Sequence, residues 1–266
     1  MTIRIDQPAE VGEYDEGMQA LLQLVWGDGY LSPGGPEEVA RVLEGVELTG
    51  RRVLDIGCGL GAIDVALIVS HGAAQVVGID LEPDLVAQAR TRVAAAGLAG
   101  QVELLVVTPG PLPFAAGAFD VVFSKDSLVQ IPDKAAVYAE IRRVLKPGGT
   151  FVASDWLRGT DGSYSPEMLE YFRLEGITYN MASLAASRAA LEAAGFIGVE
   201  VRNRNGWYRE LARREARALA GEWYPLLVAR LGAARAAHFV RNWQQLVLVL
   251  ERGELCPAHL KARAPD

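Results

Sequence analysis

With 266 residues, half of them hydrophobic and 22% charged, the chain can bury one large core and is too apolar to stay disordered. A net charge of −7 argues against a nucleic-acid partner, which would select for a basic stripe. Cys58 and Cys256 fall in no metal-ligand or disulfide spacing, and no leader pattern or apolar run of membrane-spanning length stands out, so a cytoplasmic protein without a metal is expected.

In chain order, an amphipathic segment at 18–26 leads through the turn-rich stretch 27–36 to a helix at 37–43. From Arg52 onward, short β-branched runs alternate with longer helical ones. Strands are expected at 53–56, 75–80, 102–107, 119–124, 150–154 and 199–202. Helices are expected at 62–71, 83–96, 134–145 and 183–194, several of them stopped by glycine. This rhythm predicts an α/β fold: a Rossmann-like, seven-stranded, mostly parallel sheet with helices on both faces. The predicted division is a lid at 1–40, the sheet domain at 41–202 and a mainly helical cap at 203–266 that completes it. The basic stretch 202–217, interleaved with Glu210 and Glu215, reads as a solvated helix face.

The strongest signal is Val53-Leu54-Asp55-Ile56-Gly57-Cys58-Gly59-Leu60-Gly61, set between a strand and a helix. Glycines at alternate positions permit a tight turn and close approach of a ligand, and the following helix aims free N–H groups at it. The spacing is not the GxGxxG of dinucleotide sites, and the acid Asp55 would repel a pyrophosphate. A second acid, Asp80, ends the next strand, where a carboxylate can accept ribose hydroxyls, with Leu81 beside it for an adenine. The bland alternative for Asp80 is an N-cap of the helix at 83–96.

These motifs, with Leu112-Pro113-Phe114, Phe119-Asp120-Val121-Val122 and Val144-Leu145-Lys146-Pro147-Gly148-Gly149, resemble the class I S-adenosylmethionine (SAM)-dependent methyltransferases over about residues 50–200. The resemblance implies SAM as cofactor, held by Asp55, Gly57, Gly59, Gly61, Asp80, Leu81, Thr108 and Pro109. Thr108 stands where the family often has an acid. Trp26-Gly27-Asp28-Gly29-Tyr30-Leu31-Ser32-Pro33-Gly34-Gly35 and Ser124-Lys125-Asp126-Ser127 resemble the lid entry and the serine-arginine-aspartate segment of the phosphoethanolamine N-methyltransferases. That likeness implies cofactor contacts at Tyr30, Ser32 and Lys125, and an acceptor-cation anchor at Asp126; the bland alternative for Asp126 is an N-cap of a short helix at 127–131.

The departures bear on the acceptor. Leu22 and Gln130 stand at the positions of that family's tyrosine–histidine dyad. Glu175 and Ile177 stand where it has a phosphate-gripping arginine and tyrosine, and Leu248 near its lysine. Exchanging a cation for Glu175 beside a dianionic phosphate costs several kcal/mol in a partly buried site, so the expected acceptor is a small neutral or cationic metabolite, most simply an amine. Catalytic candidates are Asp126, Glu175 and a water held by Gln130. Candidates for acceptor contact are Tyr30, Asp126, Trp156, Glu175, Tyr179 and Trp207, whose aromatic members favour cations. The alternatives are an S-, O- or C-methyltransferase, or a SAM-binding subunit without turnover.

Overall fold

The computed structural model describes residues 15–176 and 179–266. The strands are β1 (Arg52–Ile56), β2 (Gln75–Asp80), β3 (Val102–Val106), β4 (Phe119–Lys125), β5 (Leu145–Arg158), β6 (Ile197–Asn203) and β7 (Leu255–Arg263). They form one sheet in the order β3-β2-β1-β4-β5-β7-β6. β1 to β5 are parallel neighbours, while β7 runs antiparallel between β5 and β6. The strand order reverses between β1 and β4, which opens a crevice beyond their carboxyl ends.

The helices are α1 (Glu16–Trp26), α2 (Gly35–Val42), α3 (Ala62–Val69), α4 (Pro83–Ala95), α5 (Lys134–Val144), α6 (Pro166–Glu175), α7 (Leu184–Ala193), α8 (Asn205–Ala220), α9 (Tyr224–Leu231) and α10 (Ala233–Glu251). Side chains alternate across a strand, and the cores follow that alternation. Leu54, Val77 and Val122 pack with Tyr138, Ile141 and Leu191 from α5 and α7, whereas Val53, Val76 and Val121 pack with Val39, Leu67 and Val86 from α2, α3 and α4. A third cluster joins α1, α6, α8, α9 and α10 through residues such as Leu22, Phe172, Tyr208, Leu227 and Trp243. No helix among the described residues is long and apolar enough to cross a membrane.

The region expected to be mainly helical contains the seventh strand. β7 is buried on both faces over Leu255–Leu260 and contains Pro257, so it lacks the alternation that marks a half-exposed strand. Glu215, expected on a solvated face, is 5% exposed: α8 turns this residue toward α10.

Candidate active site

The glycine turn is built by backbone conformation. Gly57, Gly59 and Gly61 have φ of 83°, 54° and 80°, in the left-handed region where a side chain is strained. A Cβ at Gly57 would lie 2.4 Å from Cβ of Ser127, and one at Gly61 2.9 Å from Cβ of Ala89. The Gly57 and Cys58 N–H groups donate to the Ile79 carbonyl, fastening the turn to β2. Asp80 closes it further: one carboxylate oxygen accepts the Gly59 N–H at 2.9 Å and the other the Glu82 N–H at 3.1 Å. The N-cap position of α4 belongs to Glu82, so Asp80 is not its cap.

Behind the turn, Asp55 and Asp64 are wholly buried, and among the described residues neither carboxyl oxygen of either one has a hydrogen-bond partner. Burial, with the negative charges of Asp64 and Asp80, pushes the Asp55 carboxyl well above the usual carboxylate range. Burial likewise raises Asp64, to about 7. Orphaned acceptors beside a Cβ-free cradle suit a ligand bearing ammonium and hydroxyl donors and disfavour a pyrophosphate.

Beside the crevice lies a cavity lined by α1, the segment after it, the end of β4, α6 and α10. Leu22, Ser32, Gln130, Trp156, Tyr179 and Trp243 are among its walls. Its acids are Asp126 and Glu175, and among the described lining residues there is no lysine, arginine or histidine. The two acids differ in compensation. Asp126 accepts from the buried Lys125 ammonium at 2.7 Å and from the Ser154 hydroxyl at 3.0 Å. Lys125 donates in addition to the Pro33 carbonyl at 2.9 Å. Glu175 accepts from neutral donors, Asn242 Nδ2 at 2.5 Å and the Tyr179 hydroxyl, and burial holds its carboxyl above the ordinary value.

A family profile described as "Methyltransferase domain" matches residues 54–153, the part that carries the glycine turn and β1 to β5. Phosphoethanolamine N-methyltransferase 1 of Triticum aestivum is 33% identical over 192 residues, 72% of this chain and 37% of that protein. The O-methyltransferase cnsE of Penicillium expansum is 33% identical over 178 residues, 62% of this chain and 64% of that one. Phosphoethanolamine N-methyltransferase 2 of Haemonchus contortus, solved with phosphomonomethylethanolamine and S-adenosylhomocysteine, superposes with a TM-score of 0.87 at 25% identity, covering 96% of this chain and 58% of that one. Residues 54–153 thus carry a methyltransferase-domain match, and the described chain shares its fold with a solved methyltransferase. The chain spans 37–39% of the length of each phosphoethanolamine relative it matches in Triticum aestivum, Arabidopsis thaliana and Zea mays.

In this chain the turn glycines and Asp80 are joined by the Gly59–Asp80 hydrogen bond, and Asp55 lies buried behind them. Leu81 is 50% exposed, and Thr108 and Pro109 are exposed beyond β3. Ser32, Asp126, Gln130, Trp156, Glu175 and Tyr179 share the cavity, and Leu22 lines it where the related family has its tyrosine. Tyr30 does not line that cavity: it faces a groove with Leu60, Gln88 and Arg92. Trp207 also lies elsewhere. Its ring packs where a Cβ on Gly34 would come within 2.5 Å, and the guanidinium groups of Arg41 and Arg204 lie 5.3 and 4.9 Å from its centroid. Ile177 lies outside the described residues, and Leu248 is 37% exposed on α10, away from the cavity.

The alternative of Asp126 as an N-cap does not occur. The short 3-10 turn Leu128–Gln130 has Ser127 at its N-cap position, with no side-chain cap bond. Asp126 instead has φ of 58°, the one non-glycine residue with positive φ among the described residues. Sequence reasoning missed Asn242 and Glu215. Asn242 is 2% exposed, lines the cavity and leaves its Oδ1 without a partner. Glu215 receives the indole N–H groups of Trp26 and Trp243, both of which line the cavity. Only the i, i+4 repeat of α10 carried a signal, since a polar Asn242 interrupts a run of buried positions there.

Proposed function

We propose that this chain is a SAM-dependent N-methyltransferase acting on a small amine that carries no acidic group. The observation that carries the reading is the charge of the cavity: among the described residues Glu175 meets only neutral donors, and no basic side chain lines the space. A phosphate or carboxylate in that space would face an uncompensated acid, at a cost of several kcal/mol.

The residues named above fit the cofactor. Gly57, Gly59 and Gly61 would cradle it, Asp80 would take the ribose hydroxyls, and Asp55 offers orphaned acceptors. When bound, SAM supplies a methyl on a sulfonium, whose carbon–sulfur bond breaks toward sulfur as the amine lone pair forms the new carbon–nitrogen bond. The chain's own task is positioning, because in-line displacement is accelerated by alignment and by exclusion of water. Ser32, Gln130 and Trp156 border the acceptor space, and Lys125 ties the end of β4 to the Pro33 carbonyl in the segment that covers it. Asp126 is already held by Lys125 and Ser154, so the reacting nitrogen enters as its free base and sheds its proton to solvent after transfer. The N-terminal segment through 40 would act as the lid and 203–266 as the cap.

A panel of amines, thioethers, phenols and phosphoethanolamine incubated with SAM and read by mass shift tests this reading. Methylation is expected on an amine. Phosphoethanolamine as the best acceptor would overturn it, and binding of SAM with no methylated product would favour a silent subunit.

A further inference from the structure

Among the described residues, the cavity holds an acid without a neutralising cation and, on an adjoining side chain, an amide oxygen without a donor. Glu175 is an acid without a cationic partner among the described lining residues, and Asn242 is a buried amide whose carbonyl oxygen has no donor among the described residues. The amide orientation is set by its own contact, because the Asn242 Nδ2 donates to Glu175 Oε2 at 2.5 Å and so leaves Oδ1 as the free acceptor. A buried acceptor without a donor costs about 1–3 kcal/mol, and a ligand that supplies the donor recovers it. Aromatic faces complete the surroundings: Tyr171 and Tyr179 stack with centroids 6.2 Å apart, and Trp26 and Trp243 stand 6.0 Å apart at the same cavity. Aromatic walls with uncompensated acceptors recognise an ammonium group.

We infer that Glu175 and Asn242 form a subsite for a second, non-reacting ammonium on the acceptor, making the substrate class small diamines bound as monocations. The inference rests on the N-methyltransferase reading and adds to it. A monoprotonated diamine brings what each part of the site asks for. Its free-base nitrogen has the lone pair needed for transfer, and its protonated nitrogen has several N–H donors for the Glu175 carboxylate and the Asn242 carbonyl. Transfer then forms one carbon–nitrogen bond, and the reacting nitrogen loses one proton to water, while the ammonium at Glu175 keeps its bonds.

Calorimetry on the full chain saturated with S-adenosylhomocysteine tests the subsite without turnover. The probes are diaminopropane and diaminobutane, with the alkylamine and amino alcohol of matching length. The diamine is expected to bind about ten- to hundredfold more tightly than the alkylamine, the range for a charge-assisted hydrogen bond, with the amino alcohol between them. In Glu175→Gln the ratio is expected to fall close to one while affinity for S-adenosylhomocysteine holds. Should that variant fail to fold, Asn242→Leu must weaken the diamine and spare the alkylamine. Equal binding of diamine and alkylamine by the native chain, or a ratio that survives loss of the Glu175 charge, overturns the subsite. Mass-shift turnover separates the two ideas: diamines bound with the expected ratio yet never methylated sink the N-methyltransferase reading alone, and alkylamines methylated without any binding ratio sink the subsite alone.

Discussion

The indole N–H of Trp26 donates to a Glu215 carboxylate oxygen at 2.9 Å, and Trp243 donates to the other oxygen at 3.0 Å. One acid thus joins α1 to α10 from behind the cavity. Burial outweighs the two indole donors and the nearby Arg214, and raises the Glu215 carboxyl from 4.5 to about 7. Between those values the folded chain holds a proton that the unfolded chain has released. The resulting stability is complete below pH 4.5 and is lost as pH rises through 7, an effect of about 3 kcal/mol at most. Glu215→Gln keeps one acceptor, orphans one indole, and does not titrate. It should be less stable than the native chain by about 1–2 kcal/mol at pH 5, with the gap closing toward pH 8. Urea melts across that range check this, and a gap independent of pH would refute it.

Gly57→Ala should disable the cofactor turn. The new methyl would meet Cβ of Ser127 at 2.4 Å, and Ser127 cannot retreat freely because its hydroxyl donates to the Ile56 carbonyl at 2.7 Å and contacts Ser124 at 2.8 Å. Strain at φ of 83° adds to the clash, for a total of about 2–4 kcal/mol. Affinity for S-adenosylhomocysteine should fall more than about tenfold. Gly50→Ala, where nothing lies within 4 Å of the added methyl, controls for left-handed strain alone and should leave that affinity intact.

Asp80→Ala should weaken the cofactor by at least about tenfold, since it removes both the proposed ribose acceptor and the partner of the Gly59 N–H at 2.9 Å. Asp80→Asn keeps a neutral acceptor for one of these roles and should fall between native and alanine. Calorimetry with S-adenosylhomocysteine reads both. Unchanged affinity in the alanine variant would remove Asp80 from the site.

The parts legible in the sequence were those fixed by local backbone demands. The turn at 57–61 requires left-handed φ at three glycines, and β2 and β3 each follow a helix with its own stop signal, at Gly72 and Gly97. What escaped notice depends on partners far away in the chain. β7 becomes a strand because β5 and β6 offer it two edges, across more than a hundred residues in the first case. Glu215 reads as surface until α10 covers it, and Asn242 as an ordinary polar helix residue until Glu175 meets it. Asp126 was legible as an acid in the loop after β4, but the ammonium that compensates it belongs to its own neighbour, Lys125, and Asp126 itself has a left-handed backbone.

That adjacent pair yields the sharpest stability test. Lys125 and Asp126 are an ion pair at 2.7 Å with side chains 0% and 3% exposed, and the ammonium reaches Pro33 as well. Lys125→Met leaves a buried carboxylate with the Ser154 hydroxyl as its remaining donor, and should cost about 3–5 kcal/mol, the usual penalty for stranding one partner of a buried pair. Lys125→Met combined with Asp126→Asn removes both charges, and should recover most of that loss while still lacking the link to Pro33. Urea midpoints of the native chain, both single variants and the double variant close the cycle. If the double variant were as unstable as the sum of the singles, the two side chains would be acting independently, and the claim that Lys125 neutralises Asp126 within the cavity would fail.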